Sequence, residues 1–433
     1  MVKRREDTMI RFNDMVKRGT FLAISILGFG LAGISSSFGA ENIKIGVMGP
    51  HTGPSARVGQ DIQEGVNFAL ADALAAGDLP VVVDGVARNI EFVWVDSESS
   101  PEKGVRAVRR AIEEDKVDAL MFGWHSSVGR AVIDVSAEYN KVHFGSLPAT
   151  DTISKKIIDK GYTHYFKGWP VIGSLAKQYV VALNDWKAQG LWDPSVKKAA
   201  LLLEDSDWGR GWGDAIKTGL IESGWEIVGE DVVKMDETAF GPIMTKYRAL
   251  GATLVGFTHN APASVFGIVK AHADAGLTGM LFAEGVGWYP DWYDRAGDAA
   301  NYAVSMDSPR AMTTTQKEWL GRFKDEYDHD ASPASGGHAY DYARMLIKGL
   351  AKAATLDSDT LSETLLNMEY TGIWQHYAFS KSAGDNAMAP YEVKTGPFME
   401  GFSFPMVQYY EGKSQVIWPA EHAEGKFRAP PTR

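Results

Sequence analysis

The stretch ENIKIGVMGPHTGPSARVG, residues 41–59, decides the fold. Ile43, Ile45 and Val47 recur at every second position, the period of a strand. The run then breaks at Gly49-Pro50-His51-Thr52-Gly53-Pro54-Ser55, and an amphipathic helical pattern follows over Ile62–Ala76. A strand, a turn rich in Gly, Pro, Thr and Ser, and a helix form a unit whose loop offers backbone N–H groups and hydroxyls at a helix N-terminus. Such a loop suits a small polar or anionic group.

The forty residues before it read as an export signal. Lys17 and Arg18 precede an apolar run from Phe21 to Ile34, about fourteen residues and too short to span a bilayer comfortably. Ser35-Ser36-Ser37-Phe38-Gly39-Ala40 supplies small residues for cleavage. Cutting after Ala40 places Phe38 at −3, and cutting after Gly39 places Ser37 there. Met15-Val16-Lys17-Arg18 repeats the opening MVKR, so Met9 and Met15 are alternative starts. There is no cysteine, hence no disulfide and no Cys-anchored lipid. A freely diffusing periplasmic protein is expected, with the signal removed near residue 40. The chain carries −11 overall; the first forty residues hold six Lys or Arg and three Asp or Glu, which leaves 38 against 52, or −14, for the rest. That surface disfavours nucleic acid and anionic membrane.

Beyond the signal, 393 residues exceed one ordinary domain, and two are expected. Strand-like runs at 43–48, 90–96, 119–123, 142–147, 162–167, 199–204, 226–233, 253–258, 280–283 and 302–306 alternate with helical patterns at 101–115, 129–139, 174–188, 213–223, 240–250 and 262–275. This alternation predicts an α/β fold whose parallel sheets are covered on both faces. Ligands of such sheets bind beyond the carboxyl ends of the strands. In the first half the loops there read Trp124-His125-Ser126-Ser127 and Pro148-Ala149-Thr150-Asp151, rich in donors suited to a carboxylate or amide oxygen. In the second half they read Asp205-Ser206-Asp207-Trp208, His259-Asn260 and Glu284-Gly285-Val286-Gly287-Trp288, offering carboxylates, an amide and aromatic planes. One half donates and the other accepts, as a zwitterion between two lobes requires. Residues 384–404, rich in Gly, Pro, Met and Phe, read as an ordered loop near the hinge, and the tail after Glu421 as mobile.

Several pieces together carry a resemblance: IKIGVMGPHTGPSARVG from Ile43, DSESSPEKGVRAVRRAIEEDKVDALMFG at 96–123, HSS at 125–127, PATDTIS at 148–154, DWGRGWGDAIKTGL at 207–220, FGPIMTKYRALGATLV at 240–255 and EGV at 284–286. In this order the chain resembles type I periplasmic solute-binding proteins of ABC importers, in the branched-chain amino acid and amide group. The resemblance implies two Rossmann-like lobes joined by three hinge crossovers and closing over a ligand. It sets lobe 1 at 41–166 plus 309–370 and lobe 2 at 167–308 plus 371–433. It implies that Ser126 or Ser127 and Thr150 hold a ligand carboxylate, with the Pro148 carbonyl alongside. Glu284 would then bind the ammonium, and Trp169 would be the aromatic of the first crossover. The chain departs from the amino-acid binders at His259-Asn260 and at the bulky Trp124.

The candidate ligand contacts are therefore Trp124, Ser126, Ser127, Pro148, Ala149, Thr150, Trp169, Trp208, Asn260 and Glu284. Ser127 also reads as a helix N-cap, and Glu284 as a solvated loop carboxylate. Trp124, Trp169, Trp208 and Trp288 could form an aromatic box for an ammonium or an aromatic ring. Gly209-Arg210-Gly211-Trp212-Gly213 lacks the full nucleotide-loop patterns and reads as helix-start geometry. No G-x-S-x-G or H-E-x-x-H is present, and the ten His residues lack ligand spacing, so neither catalysis, metal nor cofactor is expected. The expected function is a periplasmic receptor that captures a small amino acid, amide or carboxylate and presents it to the membrane subunits of an ABC permease. The alternatives are a sensor module and a binder of urea-like or aromatic carboxylate solutes.

Overall fold

A computed structural model of the chain describes residues 41–306 and 310–431. The export segment read at 1–40 lies outside them, as does the expected lobe boundary at 308/309. The first lobe opens with β1 (Ile43–Gly49), α1 (Ala56–Ala75), a hairpin of β2 (Val81–Val83) and β3 (Val86–Arg88), and β4 (Ile90–Asp96). It continues through α2 (Pro101–Glu113), β5 (Ala119–Met121), α3 (Ser126–Glu138), β6 (His143–Ser146), α4 (Asp151–Lys160) and β7 (Tyr165–Lys167). Its five strands are parallel in the order β4-β1-β5-β6-β7. Ile43, Ile45, Val47 and Met48 of β1 are all buried, because helices cover both faces of the sheet. α1 starts six residues before the predicted pattern. Gly59 permits this: a Cβ there would lie 2.3 Å from the Pro50 carbonyl oxygen, so the first turn packs directly on the loop after β1.

The second lobe follows with α5 (Ile172–Ala188), β8 (Lys198–Glu204), α6 (Asp207–Glu222), β9 (Glu226–Val233), α7 (Gly241–Ala249), β10 (Leu254–Thr258), α8 (Pro262–Asp274), β11 (Met280–Glu284), α9 (Trp292–Ala296) and β12 (Val304–Met306). The chain then returns to the first lobe as α10 (Thr314–Tyr327), α11 (His338–Ala353), α12 (Ser358–Leu366) and a hairpin of β13 (Glu369–Thr371) and β14 (His376–Ala378). Trp319 of α10 packs on Phe68 of α1, and Tyr342 of α11 on Phe144 of β6. It ends in the second lobe as β15 (Met406–Tyr410) and β16 (Lys413–Trp418). The second sheet runs β16-β15-β12-β11-β10-β8-β9, parallel except for β15 and β16. In each lobe the first five parallel strands follow the 2-1-3-4-5 doubly wound order, whose switch point lies between the first and third strands.

Two expectations are corrected here. The third crossing was placed at 371, but residues 376–393 pair with the first sheet. Lys167 of β7 donates its backbone N–H to Tyr391 O and accepts from Val393 N–H. Phe379 meets Phe144 and Phe166. The Lys167 ammonium, fully buried, sits 3.0 Å from Glu392 Oε1. The segment covers what would otherwise be the open edge of β7 and supplies the counter-charge Lys167 requires. Beyond Val393 the chain turns toward the second lobe, where Phe398 meets His422. The tail after Glu421 is held as well: Phe427 stacks on Trp186 with centroids 4.2 Å apart, and Arg428 exchanges two hydrogen bonds with the Gln408 side chain.

Candidate functional site

The two switch points face each other. In the first lobe they are the loops after β1 and β5; in the second, those after β8 and β10. Ser55, at the foot of α1, donates to Asn260 O across 3.4 Å. Trp124 Nε1 donates to Asn260 Oδ1 at 3.1 Å. Asp207 N–H, at the start of α6, donates to Ser127 Oγ at 2.9 Å, and the Asp207 carboxylate pairs with Arg130 of α3. Every one of these contacts joins a carboxyl-end loop or helix start of one lobe to its counterpart in the other, as the strand order dictates.

Between them lies a cavity of about 20 Å³, lined by Trp124, Leu147, Trp169, Trp208, Asn260 and Trp288. That volume matches about one water molecule. The walls are rings packed on rings: Trp124 meets Trp288 edge-to-face at 5.5 Å, and Trp208 meets Trp288 at 5.8 Å. Trp208 Nε1 donates to Thr258 Oγ1 at 2.6 Å, which fixes the ring from the end of β10. Trp169 follows β7 in the first crossing and is wedged against Phe402, Phe404 and His338. Its Nε1 is buried and makes no hydrogen bond. A solute larger than a water requires the two lobes to part, because the walls come from both.

The polar groups behind these walls are mostly committed. Glu204 ends β8 fully buried and accepts from Asn260 N–H (2.7 Å) and Asn260 Nδ2 (3.0 Å). His259 Nδ1 stands 3.5 Å from Glu204. Nδ1 accepts from Ala261 N–H and Nε2 donates to Lys234 O, the neutral tautomer, in line with a pKa lowered first by burial. His125, buried at the N-terminus of α3, is pushed down to about 4 by desolvation and contacts Ser55 Oγ through Nε2.

The candidate residues divide accordingly. Trp124, Trp169, Trp208 and Asn260 meet at the cavity, joined by Trp288 of the aromatic box. Ser126 Oγ accepts from Ala149 N–H, Ser127 Oγ from Asp207 N–H and Thr150 Oγ1 from Thr152 N–H, so each hydroxyl keeps its proton to donate. None of the three is among the residues lining the cavity. Thr150 instead faces a larger cleft of about 430 Å³ beside Asp207 and Arg210. Pro148 and Ala149 are buried, with Pro148 packed on Gly129. Glu284, expected at a ligand ammonium, ends β11 buried, accepts a hydrogen bond from Tyr179 of α5, and is not among the residues lining the cavity. Tyr179 Oη in turn accepts from Met306 N–H. Sequence reading missed Leu147 and Glu204. A charged residue closing the apolar run Ala199–Leu203 was the available signal for the second.

Among the described residues, Asp61, Glu64 and His329 alone could offer three ligand atoms to one cation, all within 4.8 Å. The Arg57 guanidinium already lies 3.0 Å from Asp61 and 3.1 Å from His329, and supplies the positive charge there.

The family model described as "Periplasmic binding protein" matches residues 42–397. The chain belongs to that family. A Leu/Ile/Val-binding protein homolog 7 of Brucella melitensis biotype 1 is 24% identical over 422 residues, 94% of this chain and 98% of the relative. A leucine-, isoleucine-, valine-, threonine- and alanine-binding protein of Pseudomonas aeruginosa is 26% identical over 360 residues, 81% and 89% of the two chains. An amino acid binding protein of the same species is 26% identical over 249 residues, a match that spans 62% of that relative. Among solved structures, a putative branched-chain amino acid ABC transporter protein from Silicibacter pomeroyi superposes with TM-score 0.74 at 19% identity, covering 90% of this chain and 99% of that one. A solute-binding protein of an ABC transporter from R. palustris, in complex with benzoate, gives 0.69 at 17%, covering 90% and 98%. These likenesses show the two-lobed type I fold of the family.

Proposed function

We propose that this family member is the solute receptor of an ABC importer, resident in the periplasm, that captures one small amino-acid-like carboxylate or amide between its lobes. The observation that carries the reading is the cavity formed where the two switch points meet, with walls drawn from both lobes. The names of the relatives support the same class of solute. Closure excludes water from the polar contacts around the cavity and strengthens them. The hydroxyls of Ser126, Ser127 and Thr150, each accepting a backbone N–H and keeping its own proton to donate, belong to the first lobe. The Trp walls come from both lobes and Asn260 from the second. Once closed, the two lobe ends form the surface offered to the membrane permease, and the receptor itself makes and breaks no covalent bond.

A thermal-shift screen of the purified protein against amino acids, their N-methylated forms, amides and aromatic acids tests this. Saturable stabilisation by a member of one class, confirmed by calorimetry as one site per chain, is expected. Stabilisation by none of them, with no small molecule released when the purified protein is denatured, would overturn the receptor reading.

A further inference from the structure

Resting on that receptor reading, we infer that this cavity, widened as the lobes part, takes a quaternary ammonium group, and that the solute is a small trimethylammonium carboxylate. Three independent observations lead there. The first is the wall itself. Four indole rings surround the space, and two have their N–H edges tied back, Trp124 to Asn260 and Trp208 to Thr258. Indole π-faces attract a cation most strongly where water is excluded.

The second is a shortage of acceptors. Asn260 is the one polar residue lining the cavity. Its Oδ1 accepts from Trp124, and its carbonyl accepts from both Ser55 and Tyr289. A primary ammonium would bury three N–H donors against a wall of indole rings with only the Asn260 oxygens to receive them, which is costly. A trimethylammonium group has no N–H to satisfy. Glu284, to which the resemblance assigned ammonium binding, accepts from Tyr179 and is not among the residues lining the cavity.

The third is charge. Glu204 is fully buried directly behind Asn260, with both oxygens accepting N–H donors, the arrangement of an ionised carboxylate. Among the described residues no Lys or Arg lies within ion-pair distance of it, and its His259 neighbour is the neutral tautomer. A cation held in the cage offsets that buried charge, whereas a benzoate-like anion would add to it. The carboxylate end of the solute has its own partner: Trp169 Nε1 lines the same cavity, buried and without an acceptor.

The test compares trimethylglycine with 3,3-dimethylbutanoate, which has the same shape with carbon in place of the charged nitrogen, and with glycine, leucine and benzoate, by calorimetry on the purified protein. Trimethylglycine is expected to bind about 10- to 100-fold more tightly than its carbon isostere, which lacks the positive nitrogen, the span that one desolvated cation–π cage supports. Trp124→Leu should cost about 10-fold for trimethylglycine, and Trp124→Phe less. Trp124 is only half-buried, so both variants are expected to fold, and a circular-dichroism melt checks that they do. Glu204→Gln disturbs the Asn260 wall for every solute, since one of the two N–H groups it accepts loses its oxygen, and it should weaken trimethylglycine several-fold more than the carbon isostere. Equal binding of the isostere, or tighter binding of leucine or benzoate, would overturn the ammonium assignment and leave the receptor reading intact. Binding of no compound in the panel would overturn the assignment, and solute released on denaturation would then decide the receptor reading separately.

Discussion

The inter-lobe latch around Asp207 gives a quantitative prediction. Asp207 receives Arg130 through its carboxylate and gives its backbone N–H to Ser127 Oγ at 2.9 Å, so one residue holds two strands of contact across the cleft. The ion pair is half-exposed, with the Arg130 side chain 45% accessible and Asp207 27%, and such pairs are worth about 0.2–1 kcal/mol. The Ser127 hydrogen bond adds about 0.5–1.5 kcal/mol. Because both run through Asp207 they are not independent, and together about 1–2 kcal/mol is expected, a factor of about 5–30 in the closed-to-open ratio. The contacts form only when the lobes meet, so the loss should fall on dissociation rather than association. The assay is stopped-flow fluorescence, using the tryptophans of the cavity wall, with the best solute of the screen. Ser127→Ala with Arg130→Gln should release solute about 5- to 30-fold faster, with a smaller effect on the association rate. Salt should speed release from the wild type and not from the Arg130→Gln variant, since a half-exposed pair is screened. Identical release rates in wild type and double variant would refute the reasoning that these contacts hold the closed form.

Other outcomes follow from the same geometry. Glu284→Gln should lower stability to urea by about 1–3 kcal/mol, through the buried hydrogen bond from Tyr179, while changing solute affinity less than threefold; a large affinity loss would restore its ligand role. Lys167→Met should cost about 3–5 kcal/mol by leaving Glu392 buried and unpaired, and a Lys167→Met/Glu392→Leu double variant should recover much of it, again read by urea unfolding. For pH, burial depresses His125, His143 and His272 to about 4 and His338 to about 3, and it raises Asp61 and Asp341 to about 7. Between pH 4 and 6.5 the unfolded chain therefore holds four extra protons on these histidines and two fewer on these aspartates, a net of at least two, since His259, lowered by burial as well, adds in the same direction. Stability should rise across that window by about 3 kcal/mol per pH unit, and a flat or falling urea midpoint would contradict the assignment.

Much of this architecture was legible from periodicity alone. The strands at 90–96 and 226–233 occur where alternation placed them, because each is flanked by loop residues that end the pattern sharply. α4 was not legible. Its start, PATDTIS, reads as a polar loop, and only the Thr150 cap and the burial of Ile153 and Ile157 make it a helix. Residues 371–404 were assigned to the second lobe, because they hold little regular structure and their contacts with the first sheet, Lys167 with Tyr391, Glu392 and Val393 and Phe379 with Phe144, come from distant sequence. At the site, the four tryptophans were readable as residues after strands, and the fold brings them to one cavity. The commitment of Glu284 to Tyr179 was not, because it depends on a helix 105 residues away in sequence. The same holds for the hydroxyls: Ser127 is within reach of a backbone N–H from the other lobe, a partner no local pattern announces.

The central claim is that solute is taken between the two lobes and draws them together, and a distance across the cleft tests it most directly. The chain has no cysteine, so spin labels at Lys155→Cys on α4 and Thr218→Cys on α6, both exposed, are unique. Electron–electron resonance should show a distribution that shortens and narrows when the best solute of the screen is added. Solute binding that is proven by calorimetry yet leaves the label distances unchanged would contradict the account.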